Sequence, residues 1–225
     1  MEEKYPHPKL TPKKWIENFW YYYKWIFLTV LVFVSFAIIA MVQYFVKDDP
    51  DITFLYVGPK ALGENECEML TETAEKYILD SNDDGTAKGS IITFTLSAEY
   101  DELLHGVKDQ AMQEYQGYSD EILSGDATIL LVDPYFYEEL AEQGALISLY
   151  EVFDELPLSV VDYYGLELKK TPFANKDGFS SLPDDTIICL KIAPVGADID
   201  VNQQIEIDDN TRQQFLALYH GSETK

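Results

Sequence analysis

The chain has 225 residues, with 40 acidic against 16 basic side chains and a formal net charge of −24. The imbalance is confined to one part: residues 1–46 hold five lysines and three glutamates, whereas residues 47–225 hold 37 acidic and 11 basic side chains, a formal charge of −26. Such a surface excludes nucleic acid as a partner, because phosphate recognition needs concentrated Lys and Arg, and it repels anionic lipid headgroups.

The first element is the uncharged run over residues 25–46, 22 residues between Lys24 and Lys47. At about 1.5 Å per residue it covers roughly 33 Å as a helix, against a bilayer hydrocarbon core of about 30 Å. A cleaved signal peptide has a shorter apolar stretch and a small-x-small cut site, which Val42, Gln43, Tyr44 and Phe45 do not provide. The run therefore reads as an uncleaved transmembrane anchor, with residues 1–24 as a tail and residues 47–225 as one extracytoplasmic domain. Lys4, Lys9, Lys13, Lys14 and Lys24 precede the span, and Asp48, Asp49 and Asp51 follow Lys47, so the positive-inside rule predicts a cytoplasmic N-terminus at the cell membrane. Trp15, Trp20, Tyr21, Tyr22, Tyr23 and Trp25 mark the inner boundary of the span, and Tyr44 and Phe45 the outer one.

Beyond the anchor, strands alternate with helices. Residues 51–57 (DITFLYV) read as a buried strand ending at Gly58-Pro59, and residues 61–79 carry Met69, Leu70, Ala74, Tyr77 and Ile78 at helical spacing. A polar turn over residues 80–89 leads to a β-branched strand at residues 90–96 (SIITFTL). A second helical region starts near Ser97, carries Tyr100, Leu103, Leu104, Val107 and Met112, and is expected to break at Gly117, with Ser124-Gly125 as the stop. Residues 126–132 (DATILLV) read as a strand covered on both faces; Asp133 and Pro134 then supply the cap and first residue of a helix closed by Gly144.

From Leu146 the pattern loosens. Residues 146–153 are short and apolar, residues 156–168 read as a short helix bearing Val160, Val161, Tyr163 and Tyr164, and residues 172–183 as a loop. Residues 186–192 (TIICLKI) form a further central strand, and Asp208 or Asp209 is expected to cap a last helix over residues 211–219. The sum is an α/β domain of three layers with a mostly parallel sheet.

Residues 123–153 (LSGDATILLVDPYFYEELAEQGALISLYEVF) resemble the N-terminal lobe of the extracellular solute-binding proteins of ABC importers, notably the sugar-binding family. There, a helix ending in a small residue plus Gly leads to an apolar strand opened by Asp, and the next helix ends in an A-x-x-G-x-L-x-x-L pattern. The segments DITFLYVG and GSIITFTLSAEYDELL extend the resemblance over residues 51–153. It implies a periplasmic-binding-protein-like lobe in a bacterial cell envelope. Those proteins are about twice as long as this domain and close two lobes over their ligand, so cleft capture of a sugar is not implied here.

Residues 80–85 (DSNDDG) fit the first half of a calcium loop, with Asp80, Asn82 and Asp84 at the ligand spacing, but the twelfth position, which should be a bidentate Glu, is Ile91. A helix-to-strand turn accounts for the same residues. Asp198, Asp200 and Asn202 repeat the spacing, and their alternation with Ile199 and Val201 also suits an edge strand. His7, His105 and His220 are too scattered for a catalytic or metal site. Cys67 and Cys189 form no C-x-x-C; a disulfide and two free thiols both remain open.

Strand-end residues are the remaining candidates. Tyr56 and Gly58 with Pro59 end the first strand, and Tyr135, Phe136 and Tyr137 follow the third, where open α/β sheets bind ligands. The expected function is a membrane-anchored, noncatalytic binding or interaction module without a cofactor, using this rim for a small ligand or an envelope protein partner. The alternatives are a metal-dependent envelope hydrolase and a sensory ectodomain signalling through another membrane protein.

Overall fold

The computed structural model describes residues 11–45, 50–82, 84–97, 109–194 and 199–221. It contains two units, Met1–Asp48 and Asp49–Lys225.

Among its described residues the first unit is one helix, α1 (Pro12–Phe45), opened by a proline at a position where a missing N–H costs nothing. Within it Phe19–Ile39 is long and apolar enough to cross a membrane, and none of that stretch is buried. It is consistent with a membrane anchor or a signal sequence. Two of its hydroxyls bond the preceding turn: Thr29 Oγ1 donates to the Trp25 carbonyl at 2.9 Å and Ser35 Oγ to that of Leu31 at 2.9 Å. Lys4, Lys9, His7 and Val46 lie outside the described residues, as do the side chains of Trp15, Tyr44 and Phe45.

The second unit is a mixed α/β domain built on β1 (Ile52–Gly58), α2 (Glu64–Ala74), β2 (Gly89–Thr95), α3 (Asp109–Ser124), β3 (Ile129–Val132), α4 (Pro134–Glu142), β4 (Gly165–Glu167), β5 (Ile187–Leu190) and α5 (Val201–His220). The sheet order is β2-β1-β3-β5-β4. Alternation along the strands sends Phe54, Tyr56, Ile129, Leu131, Ile188 and Leu190 to one face, with Leu70 and Ala74 of α2 and Phe215 and Leu218 of α5. Leu55, Val57, Leu130, Val132 and Cys189 point to the other, with Tyr118 of α3 and Phe136 and Leu140 of α4.

The sheet is not mostly parallel. β1 pairs in parallel with β2 and β3, but β5 runs antiparallel to both β3 and β4. A parallel return needs a crossover helix, and residues 168–186 between β4 and β5 supply only short 3-10 turns, packing Phe173, Phe179 and Leu182 onto the first face. The features of a periplasmic-binding-protein lobe are not shown.

Several elements differ from expectation. Helix α3 passes through Gly117 unbroken; a Cβ there would lie 2.9 Å from the Phe94 ring, so the glycine serves close helix-to-strand packing. Residues 156–168 hold no α-helix: Val160 bridges Leu166 and Val161 N donates to the Gly165 carbonyl at 2.8 Å, folding the segment back along β4. Helix α5 starts at Val201 because the Asp200 side chain accepts from the Asn202 and Gln203 amides while Asp200 N donates to Gln203 Oε1, a capping box. Residues 200–202 are thus a helix start and not an edge strand, and Asp208 is no cap but accepts from Ala193 N at 2.8 Å. Asp198, His105, Tyr100, Leu103, Leu104 and Val107 lie outside the described residues.

Candidate functional site

Strands β1 and β3 lie side by side and parallel, and the chain leaves them in opposite directions. From β1 it turns into α2 on the first face; from β3 it turns into α4 on the second. The gap between the departing loops is a topological switch point, where open α/β sheets take ligands.

On the β1 side, Tyr56 is 1 % exposed and its hydroxyl finds no hydrogen-bond partner among the described residues. Burial pushes its pKa up to about 12; the nearby Lys60 backbone amide, short of hydrogen-bond geometry, opposes this in part, and the charges of Asp133, Asp185 and Glu66 add to it. Gly58 is small for a reason, since a Cβ would sit 2.7 Å from that hydroxyl. The Gly58 carbonyl accepts from Leu96 N at 3.0 Å, which fixes the exit of β1 against β2. Pro59 is exposed. Lys60 reaches across, donating to Glu66 Oε1 at 2.7 Å and to the Ser181 carbonyl at 2.6 Å, so it clamps the loop to the irregular segment.

On the β3 side, Asp133 caps α4, accepting from Phe136 N at 3.1 Å, and Pro134 follows as the first helical residue. Burial raises the Asp133 pKa, its capping bonds oppose this, and Asp185 adds to it. The rim thus concentrates carboxylates around a buried phenol. Consecutive residues at a helix start point about 100° apart, so the three aromatic residues diverge. Tyr135 reaches the surface at 37 % exposure, while Phe136 and Tyr137 are buried in the second-face core. The Tyr137 hydroxyl is bonded to Asp162, and its ring packs where a Gly165 Cβ would be.

The remaining candidates do not gather with them. Asp80, Asn82 and Asp84 turn their oxygens onto their own loop: Asp80 Oδ2 accepts from Gly85 N at 2.8 Å, Asn82 Oδ1 from Asp84 N at 2.9 Å, and Asp84 Oδ1 from Thr86 N at 2.9 Å. The loop is anchored from outside by Asp51, whose carboxylate accepts from the Ser81, Asn82 and Lys88 amides. No cluster of three or more metal-ligating side chains occurs among the described residues. Cys67 and Cys189 are unbonded, on α2 and β5 over opposite faces; burial raises the pKa of both thiols. His220 lies exposed in the last turn of α5.

Sequence reasoning misses Lys60 and Asp185 in their loops and Glu66 in the first turn of α2, because isolated charges carry no periodicity. Gly58-Pro59 and Asp133-Pro134 were its only local signals. Comparisons with protein-family models, with curated proteins and with solved structures find no match for this chain. The likeness of residues 51–153 to a solute-binding lobe therefore rests on sequence pattern alone.

Proposed function

We propose that the chain is a single-pass, signal-anchored binding module that holds an acidic α/β domain outside the cytoplasmic membrane and recognises a small ligand or an envelope protein at the β1/β3 rim. The observation that carries this reading is the switch point itself: two adjacent parallel strands whose loops part to opposite faces, with a buried phenol hydroxyl and the carboxylate of Asp133 beside the gap. The apolar stretch of α1 supports the anchor, and the five lysines ahead of it support a cytoplasmic N-terminus.

Two measurements test it. In a background lacking Cys67 and Cys189, a cysteine at Leu158, which is fully exposed, should react with a membrane-impermeant thiol reagent on intact cells, and one at Glu3 should not. The opposite pattern reverses the orientation, and a mature chain starting beyond Val46 removes the anchor. The full chain in detergent is then screened by thermal shift against sugars, amino acids and divalent ions. A ligand that raises the melting temperature, and loses its effect in Tyr135→Ser, fits the rim. A gain that survives Tyr135→Ser moves the site elsewhere.

A further inference from the structure

The segment around β4 carries a second surface. Leu158 is fully exposed, Tyr150 and Tyr163 are 62 % and 59 % exposed, and Val161 and Tyr164 of the same segment are exposed as well. The backbone that carries these side chains is held in place. Leu149 N donates to the Tyr163 carbonyl at 2.8 Å, Glu167 N to that of Ser159 at 2.8 Å, and Asp162 Oδ1 accepts from Tyr164 N at 2.8 Å as well as from the Tyr137 hydroxyl. The Tyr150 and Tyr163 rings lie 5.5 Å apart. Tyrosines fixed before binding lose little entropy on contact and are frequent anchors of interfaces, and contiguous exposed apolar groups mark such surfaces.

The patch continues into a cavity of about 320 Å³ that has Tyr164 and Glu151 in its wall and apolar lining from Leu146, Ile147 and Ile192. Asp208 also lines it, and Arg212 there is engaged by Glu151 and Asp209, each at 2.6 Å. Around the exposed aromatics the sequence places Glu151, Asp154, Glu155 and Asp162, with no basic residue between Gly144 and Leu168.

We propose that this face docks an apolar, cationic segment of another protein, its aliphatic and aromatic side chains on Tyr150, Leu158 and Tyr163 and its Lys or Arg groups against the surrounding carboxylates. Charge selects this occupant. A second copy in a two-fold contact would set the same acids against themselves, and an anionic lipid surface would be repelled. A basic segment without apolar residues would leave the tyrosines and Leu158 in water.

The test uses the full chain in zwitterionic nanodiscs and two labelled peptides at physiological salt: a Lys/Leu/Trp peptide and its counterpart with Ser in place of Leu and Trp. The first should bind at least about tenfold more tightly than the second, and Leu158→Ser/Tyr163→Ser should weaken it by about tenfold or more with the melting temperature unchanged. Tyr135→Ser should leave this binding intact, which separates it from the rim. Equal binding of both peptides, or full affinity in the double variant, overturns the proposal. A photo-crosslinking residue at Leu158 in cells should capture a basic, apolar segment of a different protein; capture of a second copy or of lipid alone overturns it too.

Discussion

The two faces of the sheet are covered by different means. On the second face α3 and α4 bury Tyr118, Phe136 and Leu140 in a regular helical layer. On the first, α2 and α5 share the cover with irregular chain that contributes Leu149, Val152, Phe153, Phe173 and Phe179. There aromatic rings replace regular ridges and grooves: Phe173 and Phe179 stand 5.0 Å apart, and Phe153 and Tyr219 likewise 5.0 Å. A helical layer is specified by spacing along the chain, whereas an irregular one depends on particular close approaches between distant residues. The two faces should therefore fail differently under mutation.

The largest effect is expected where the sheet is central. Leu130 is wholly buried on the second face, paired with Leu55 of β1 and Cys189 of β5. Leu130→Asp places an unpaired charge there, costing several kcal/mol against a typical domain stability of about 5–15 kcal/mol. The full chain in detergent should lose its cooperative melting transition. A retained transition would show that β3 is not the centre of the core.

On the irregular side a single glycine should weigh nearly as much. Gly178 has φ +81°, and a Cβ would come within 2.3 Å of the Leu70 backbone, so the segment touches α2 main chain to main chain. Gly178→Ala should cost about 3 kcal/mol, read as a lowered denaturation midpoint. Gly144 is the control: its φ is +69° but no atom lies within 4 Å of its Cβ position, and Gly144→Ala should cost only about 1 kcal/mol. Equal costs would mean that backbone conformation, and not the contact with α2, is what Gly178 supplies.

What the sequence made legible follows the same division. Residues 51–57, 126–132 and 134–144 gave a buried strand, a second one and a capped helix, because apolar runs and the Asp133-Pro134 pair act within a few residues. The antiparallel direction of β5 was not legible, since strand direction depends on a connection whose path is set by contacts such as Gly178 against Leu70. Gly117 reads as a break in the sequence because its role concerns Phe94, on another element. The capping box of Asp200 and Gln203 is present in the sequence but is masked there by the alternation with Ile199 and Val201, which suggests a strand. At the rim, Gly58 and Tyr135 could be found from turn signals, but Lys60 meets Ser181 only after the chain has closed.

The smallest effect concerns the junction of the irregular chain with α5. Asp208 is buried and accepts from Ala193 N at 2.8 Å; burial, its largest perturbation, raises its pKa against the opposing effects of that bond and of Arg212. A folded pKa above the unfolded value means that the native state binds more protons between the two, so wild-type stability rises as pH falls through the folded value toward 3.8. Asp208→Asn keeps an acceptor for Ala193 N without the charge. At neutral pH the variant should equal or slightly exceed the wild type, and its advantage should shrink as pH falls toward about 4, measured by chemical denaturation of the full chain at both values. Asp208→Ala, which loses the acceptor, should be the less stable at either pH. If Asp208→Asn instead falls as far as Asp208→Ala at neutral pH, the charge facing Arg212, and not the bond to Ala193, is what holds the irregular chain to α5.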